Sequence, residues 1–320
     1  MRTIGVITTG GDAPGMNAAI RAVTRIASEY NFKVIGFERG WEGLLKNTFR
    51  QLTPRSVGGI IQLGGTILHT SRCPEFKTRQ GIEKAAENLG KAQIDGLIVI
   101  GGNGSFKGAL ELSEKTNTLI TCIPATIDND VFGTDETIGF DTAVNTAVAE
   151  IDKIRDTAIS HERIFIVEVM GRERGFIAVS VGISVGAEII LIPEREYKIE
   201  KILEILRENT RKGKKAGIIV AAEGVGNLNA LGREIEASTG SEVRLSILGY
   251  AQRGGSPTAR SRLLAGLFAE KAVELICKGQ RNMVVGLQNG EVTCTDLRVS
   301  VEKIKPLDLR LMRLAEMLST

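Results

Sequence analysis

The 320-residue chain holds two histidines, His69 and His161, and four cysteines, Cys73, Cys122, Cys277 and Cys294, with no CxxC pair among them. A zinc site or a histidine-based triad therefore has too little material, and reduced structural thiols are the default. No run approaches the roughly 18 apolar residues of a membrane span, which excludes a membrane partner. Met1-Arg2-Thr3 leads into the first apolar run with no signal-peptide pattern, so a cytoplasmic location is expected. A net charge of +3 is too small for a nucleic-acid binder. The dense cluster Arg211-Lys212-Gly213-Lys214-Lys215 reads, on its own, as a solvated helix end. Long linkers, low-complexity tracts and solenoid-period repeats are missing as well.

What is present is an ordinary soluble composition, 42% hydrophobic and 25% charged, on a chain long enough for two domains. Short apolar runs at 4–7, 96–100, 119–123, 165–169, 189–192, 217–221, 246–249 and 283–286 read as strands. Helical spacing occupies 17–30 and 81–89, and links Val144, Ala147, Val148, Ile151 and Ile154. Strands alternating with helices imply an α/β fold of doubly wound, largely parallel sheets. In such sheets ligands collect beyond the carboxyl ends of strands, where Gly11, Asn103, Asp128, Met170, Glu223 and Arg253 fall.

Three of those strand ends carry distinctive chemistry. Gly101-Gly102-Asn103-Gly104-Ser105 reads as a loop of exposed backbone donors, and Gly10-Gly11-Asp12-Ala13-Pro14-Gly15-Met16-Asn17 as a glycine turn into a helix. Neither matches GxxxxGK[ST] or GxGxxG, so each alone is as readily structural as functional, and together they suit an extended polyphosphate. The third, Thr126-Ile127-Asp128-Asn129-Asp130, points Asp128 and Asp130 the same way if extended, which suits proton abstraction beside a metal. An Asx-turn pair making local hydrogen bonds fits Asp128-Asn129-Asp130 equally. Arg72, Arg163, Arg172, Arg244 and Arg253 sit near strand ends or in glycine-bearing loops, where guanidinium groups can bind phosphate bidentately or form surface ion pairs.

Gly10-Gly-Asp-Ala-Pro-Gly-Met-Asn-Ala-Ala-Ile-Arg21, Gly64-Gly-Thr-Ile-Leu68 with Arg72-Cys-Pro-Glu-Phe76, Thr126-Ile-Asp-Asn-Asp130, Val169-Met-Gly-Arg172 and Gln252-Arg-Gly-Gly-Ser-Pro257 together resemble the bacterial ATP-dependent 6-phosphofructokinases. The resemblance is near collinear from Arg2 to about Arg281. It implies two similar doubly wound sheet domains with the active site in the cleft between them. One would be 1–138 plus 251–304, for the nucleotide, and the other 139–250 plus 305–320, for fructose 6-phosphate.

It also implies transfer of the ATP γ-phosphoryl group to the sugar 1-hydroxyl, with Asp128 as base and Mg2+ beside Asp130 and position 103. Thr126, Arg172 and Arg72 would steady the transferring group. Gly11, Arg72, Cys73, Gly102, Asn103, Gly104 and Ser105 would line ATP. Thr126, Asp128, Met170, Gly171, Arg172, Glu223, Tyr250 and Arg253 would hold the sugar phosphate, joined by Arg163 and Arg244 from a neighbouring subunit. Arg21, Arg25, Arg155, Gly186, Glu188, Lys212, Lys214 and Lys215 would bind an allosteric ADP or phosphoenolpyruvate in a homotetramer.

The chain departs from the family pattern at several of these places. Asn103 stands where the family has an aspartate, Tyr250 replaces a histidine, Ala125 a glycine, and Gly59 and Ser261 replace aspartates. Gly104, where pyrophosphate-dependent relatives carry an aspartate, keeps ATP as the expected donor. Losing a unit charge at 103 suggests a rate lower by roughly a hundredfold. A weakly active sugar-phosphate or nucleotide-binding paralogue and a pyrophosphate-dependent kinase stay open as alternatives. Asn103-Gly104 is in addition a dipeptide expected to deamidate.

Overall fold

The computed structural model describes residues 2–318. The chain divides into two compact units, Met1–Thr142 with Arg253–Lys305, and Ala143–Gln252 with Pro306–Thr320. The first unit begins with β1 (Thr3–Thr8), α1 (Met16–Glu29), β2 (Lys33–Phe37), α2 (Trp41–Lys46), β3 (Phe49–Leu52) and α3 (Arg79–Lys91). It continues with β4 (Gly96–Gly101), α4 (Asn103–Ser113), β5 (Leu119–Thr126), β6 (Ile138–Gly139) and the start of α5 (Phe140–His161). The second unit adds β7 (Ile164–Val169), α6 (Phe176–Ser184), β8 (Ile189–Leu191), α7 (Ile199–Arg211), β9 (Gly217–Ala222), α8 (Leu228–Thr239) and β10 (Val243–Ile247). The chain then returns to the first unit with α9 (Ala259–Cys277), β11 (Met283–Gln288), β12 (Glu291–Asp296) and α10 (Leu297–Glu302), and ends in the second with α11 (Arg310–Leu318).

The sheet of the first unit runs β12-β11-β5-β4-β1-β2-β3, with β6 beside the end of β5. Its centre is parallel and its two edge strands, β3 and β12, are antiparallel. β1 and β4 are buried at every residue, as expected where helices cover both faces and sequence alternation disappears. On one face Ile7, Leu97 and Val99 pack with Phe37, Trp41, Leu89 and Phe106. On the other, α9 lies close enough that a β-carbon at Gly96 would fall 2.8 Å from Ile276. The edge strands are mixed in polarity, which is why apolar runs do not reveal them.

The chain steps from β1 to β2 on one side and to β4 on the other, so the order reverses between β1 and β4. Ligands of doubly wound sheets bind at such a reversal. Pairing of Thr8 with Ile100 brings the ends of β1 and β4 level, while β5, whose Pro124 pairs with Gly101, runs on to Thr126. The second unit has a smaller, wholly parallel sheet, β10-β7-β9-β8. Its core joins Ile166, Leu191, Ile219 and Ala221 to Ile202 and Leu206 of α7 and to Leu231 and Ile235 of α8.

Two local expectations are corrected. Asn103 to Ser105 are not loop but the first turn of α4, because β4 runs on to Gly101 and leaves Gly102 alone as the junction. The last strand of the second unit ends at Ile247, since Val243 to Ile247 align residue for residue with Ile164 to Glu168 while Gly249 opens a short 3-10 turn. Among the described residues no helix is long and apolar enough to cross a membrane.

Candidate active site

In the first unit, glycine lets the strand ends lace together. Thr9 N donates to Ile100 O at 3.1 Å and Ser105 Oγ donates to Thr9 O at 2.9 Å. A β-carbon at Gly101 would lie 2.5 Å from Ser105 Oγ and 2.6 Å from Thr9 O, so no larger residue fits without displacing backbone. Gly102 abuts Thr126, with 3.2 Å between its would-be β-carbon and Thr126 Cβ. α4 starts from Gly102, and α1 from the left-handed Gly15, neither with a side-chain cap. First-turn N–H groups of a helix lack intrahelical partners and favour an anion.

The segment containing Arg72 and Cys73 folds over the first of these ends. Thr70 Oγ1 donates to Gly10 O at 2.8 Å, and Thr8 Oγ1 reaches Thr66 Oγ1 at 2.8 Å and His69 O at 3.0 Å. His69 thus serves through its carbonyl. Buried Asn17 accepts from Ile67 N and donates to the carbonyls of Leu63 and Gly64. Its signal was a lone amide on the apolar face of α1. Arg72 is exposed, Cys73 packs partly against the core, and Arg253 is ion-paired with Asp12 beside Gly11. Arg253 therefore keeps company with the candidate nucleotide residues of this unit.

The third strand end is a turn, not an extended segment. Asn129 adopts φ 53°, so the alternation that would aim Asp128 and Asp130 alike does not hold. Asn129 accepts from Thr137 N at 3.0 Å and donates to Asp135 O at 3.2 Å. Asp128 is 6% exposed, its carboxylate 3.4 Å from Thr126 Oγ1. Asp130 is half-buried, and its carbonyl accepts from Asn103 Nδ2 at 3.1 Å. Behind the turn, Lys305 Nζ donates to Asp135 O at 2.9 Å, and burial pulls its ammonium down to about 8 despite Asp135, Asp130 and Glu136. The sequence offered no sign of Lys305, which lies far along the chain.

Among the described residues no three acidic, histidine or cysteine side chains form a metal cage. Magnesium commonly takes one or two carboxylates and completes its shell with phosphate and water, and a single half-buried Asp130 fits that pattern. Asn103, with its nitrogen engaged, could add only a neutral oxygen. The helical backbone and engaged amide also work against deamidation at Asn103-Gly104.

In the second unit charged side chains meet at the carboxyl ends of β7 and β9, and the amide of Gln252 joins them from the turn after β10. Met170 N donates to Gln252 Oε1 at 2.9 Å, and Arg172 N donates to Glu223 Oε1. Arg172 has φ 53° and Gly171 φ 135°, while a β-carbon at Gly224 would sit 2.4 Å from Arg172 O. Glu168 beside them is pushed up by burial and by the charge of Glu223. Tyr250 is exposed in the turn after β10.

Arg163 and Arg244 are not part of this group. They flank one carboxylate, Glu242, at the amino ends of β7 and β10. A six-residue strand separates Arg163 from Met170, about 20 Å at the usual rise.

The candidate effector residues also divide. Arg155 donates to Val185 O beside the left-handed Gly186, and Lys214 pairs with buried Glu188. Lys212 and Lys215 pair with Glu208 and Glu162, and Arg21 and Arg25 lie on α1 in the first unit.

Residues 3–276 match the phosphofructokinase family. The chain belongs to that family. It is 51% identical to the ATP-dependent 6-phosphofructokinase of Lysinibacillus sphaericus and 50% identical to that of Bacillus pumilus strain SAFR-032, each over 319 residues and the whole of both chains. The solved phosphofructokinase of Saccharomyces cerevisiae superposes with TM-score 0.90 at 32% identity, and this chain spans 48% of that one's length. A pyrophosphate-dependent phosphofructokinase of Marinobacter aquaeolei gives TM-score 0.86 at 22% identity over 97% of this chain and 86% of that one, a likeness of fold alone.

Proposed function

We propose that this phosphofructokinase-family chain transfers the γ-phosphoryl group of ATP to the 1-hydroxyl of D-fructose 6-phosphate, giving fructose 1,6-bisphosphate in glycolysis. The observation that carries this is full-length identity of about half to bacterial enzymes named for that activity. The strand ends support the assignment of parts. Gly11, Arg72, Cys73 and Gly102 to Ser105 would take the nucleotide in the first unit. Open space beside Gly104, where a β-carbon would meet nothing within 4 Å, suits a bulky donor.

Asp128 would accept the hydroxyl proton, and Thr126, Arg72 and Arg172 would steady the charge that spreads over the transferring group. Magnesium arriving with the nucleotide would be held at Asp130 and would neutralise phosphate charge. Met170, Gly171, Glu223, Tyr250 and Arg253 would orient the sugar phosphate. Arg163 and Arg244, remote from Met170 in their own subunit, would serve a neighbour in a homotetramer.

Arg21, Arg25, Arg155, Gly186, Glu188, Lys212, Lys214 and Lys215 would bind ADP or phosphoenolpyruvate as effector. The cytoplasmic location is part of the same reading. A coupled assay with donors exchanged tests it: product is expected with magnesium-ATP, at least about tenfold faster than with pyrophosphate. Faster turnover with pyrophosphate, or none with either donor, would refute it.

A further inference from the structure

Asn103 occupies the first position of α4, at the end of β4, and Asp130 lies in the turn that follows the neighbouring strand β5. One hydrogen bond joins them, from Asn103 Nδ2 to the backbone carbonyl of Asp130 at 3.1 Å. The bond has a fixed direction, because a backbone carbonyl can only accept and the amide must supply the proton. Aspartate has almost the same shape as asparagine but, when ionised, no donor. In this position it would set a carboxylate oxygen against the carbonyl oxygen of Asp130.

The rest of the turn is fastened elsewhere. Asn129 bonds Thr137 N and Asp135 O, and Lys305 bonds Asp135 O, so both secure its far half. In the near half Thr126 Oγ1 accepts from Asp128 N at 3.3 Å, and Asn103 holds Asp130. Its base is rigid: β4 pairs with β5 up to Gly101, and Ser105 ties the first turn of α4 to Thr9 O. The amide therefore transmits the position of a well-held helix end to the residue whose carboxylate the proposed function places beside magnesium.

The geometry points to Asn103 as a positioning residue that orients the Asp130 turn through its amide nitrogen, not as a ligand position stripped of its charge. The inference rests on the proposed function for its meaning, while the hydrogen bond itself can be tested independently. It reverses the expectation from sequence that restoring a carboxylate at 103 would raise activity.

Asn103→Asp and Asn103→Ala are the variants to compare with the natural chain. The first readout is hydrogen exchange over residues 127–137 without ligand, where loss of a net hydrogen bond should speed exchange about fivefold in both. The second is the magnesium concentration that half-saturates binding of a fluorescent ATP analogue, expected to rise severalfold in both variants. A merely structural bond would change the first readout and leave the second unmoved, and that pattern would overturn the inference. So would unchanged exchange in Asn103→Asp with turnover raised about a hundredfold, which would make the amide a degraded ligand. Should Asn103→Asp fail to fold, exchange over residues 127–137 in Asn103→Ala decides: about fivefold faster exchange supports the inference, and unchanged exchange overturns it. A natural chain that makes no product with any donor would defeat the functional proposal, yet exchange and magnesium-dependent binding would still judge the role of Asn103.

Discussion

The two sheets of this chain finish their strands in different materials. In the first unit the ends of β1, β4 and β5 are made of glycine, small hydroxyls and backbone, drawn so close that Gly101 admits no β-carbon. In the second, the ends of β7 and β9 carry charge, with the Glu223 carboxylate accepting from Arg172 N and Glu168 pressed beside it. Backbone N–H groups at helix starts suit a long polyanion whose every segment looks alike. Side-chain charges and amides suit a small ligand with distinct hydroxyls and one phosphate. The contrast motivates the proposed division of labour, nucleotide to the first unit and sugar phosphate mainly to the second, Arg253 of the first unit being the exception among the residues assigned to orienting the sugar.

The largest expected effect is at the residue assigned to chemistry. Asp128→Asn should lower turnover by about a thousandfold in a coupled assay, within the range for losing a general base, with melting temperature little changed. Next comes the glycine-built side: Gly101→Ala should destabilise the protein by about 2 kcal/mol in denaturant titration, because the new methyl meets backbone. The same change should raise KM for ATP more than KM for the sugar. Glu223→Ala should do the converse, raising KM for fructose 6-phosphate about tenfold while KM for ATP holds, since a hydrogen bond to a charged acceptor is lost. If both variants shifted both constants equally, the contrast between units would dissolve.

The smallest effect concerns pH. Lys305 titrates near 8 in the folded chain against an ordinary 10.5, so between those values the unfolded chain holds a proton that the folded one has released. Its contribution to stability must then rise with pH across that window. Lys305→Met should flatten this rise in urea titrations from pH 8 to 10.5.

The central strands were legible because burial on both faces leaves unbroken apolar runs, whereas the reversal between β1 and β4 depends on which strands pair and leaves no mark in the alternation of elements. The start of α4 was not, because Asn-Gly-Ser has poor helix propensity and folds as helix only through tertiary ties such as Ser105 to Thr9. The turn at Asp128 to Asp130 misled for a related reason: asparagine tolerates the left-handed conformation, and a sequence does not say when it uses it. Partnerships across long separations, Arg253 with Asp12 and Lys305 with Asp135, leave no local trace at all. The amide of Asn103 is visible in the sequence as a departure, but its partner Asp130 O is not, so sequence alone presents it as a loss.

Hydrogen exchange with one ligand at a time tests the division of labour most directly. The account predicts that a magnesium-ATP analogue alone slows exchange in residues 8–12, 101–106 and 126–130, and that fructose 6-phosphate alone slows it in 168–174 and 221–225. Protection by the nucleotide in the second set without the first would contradict it.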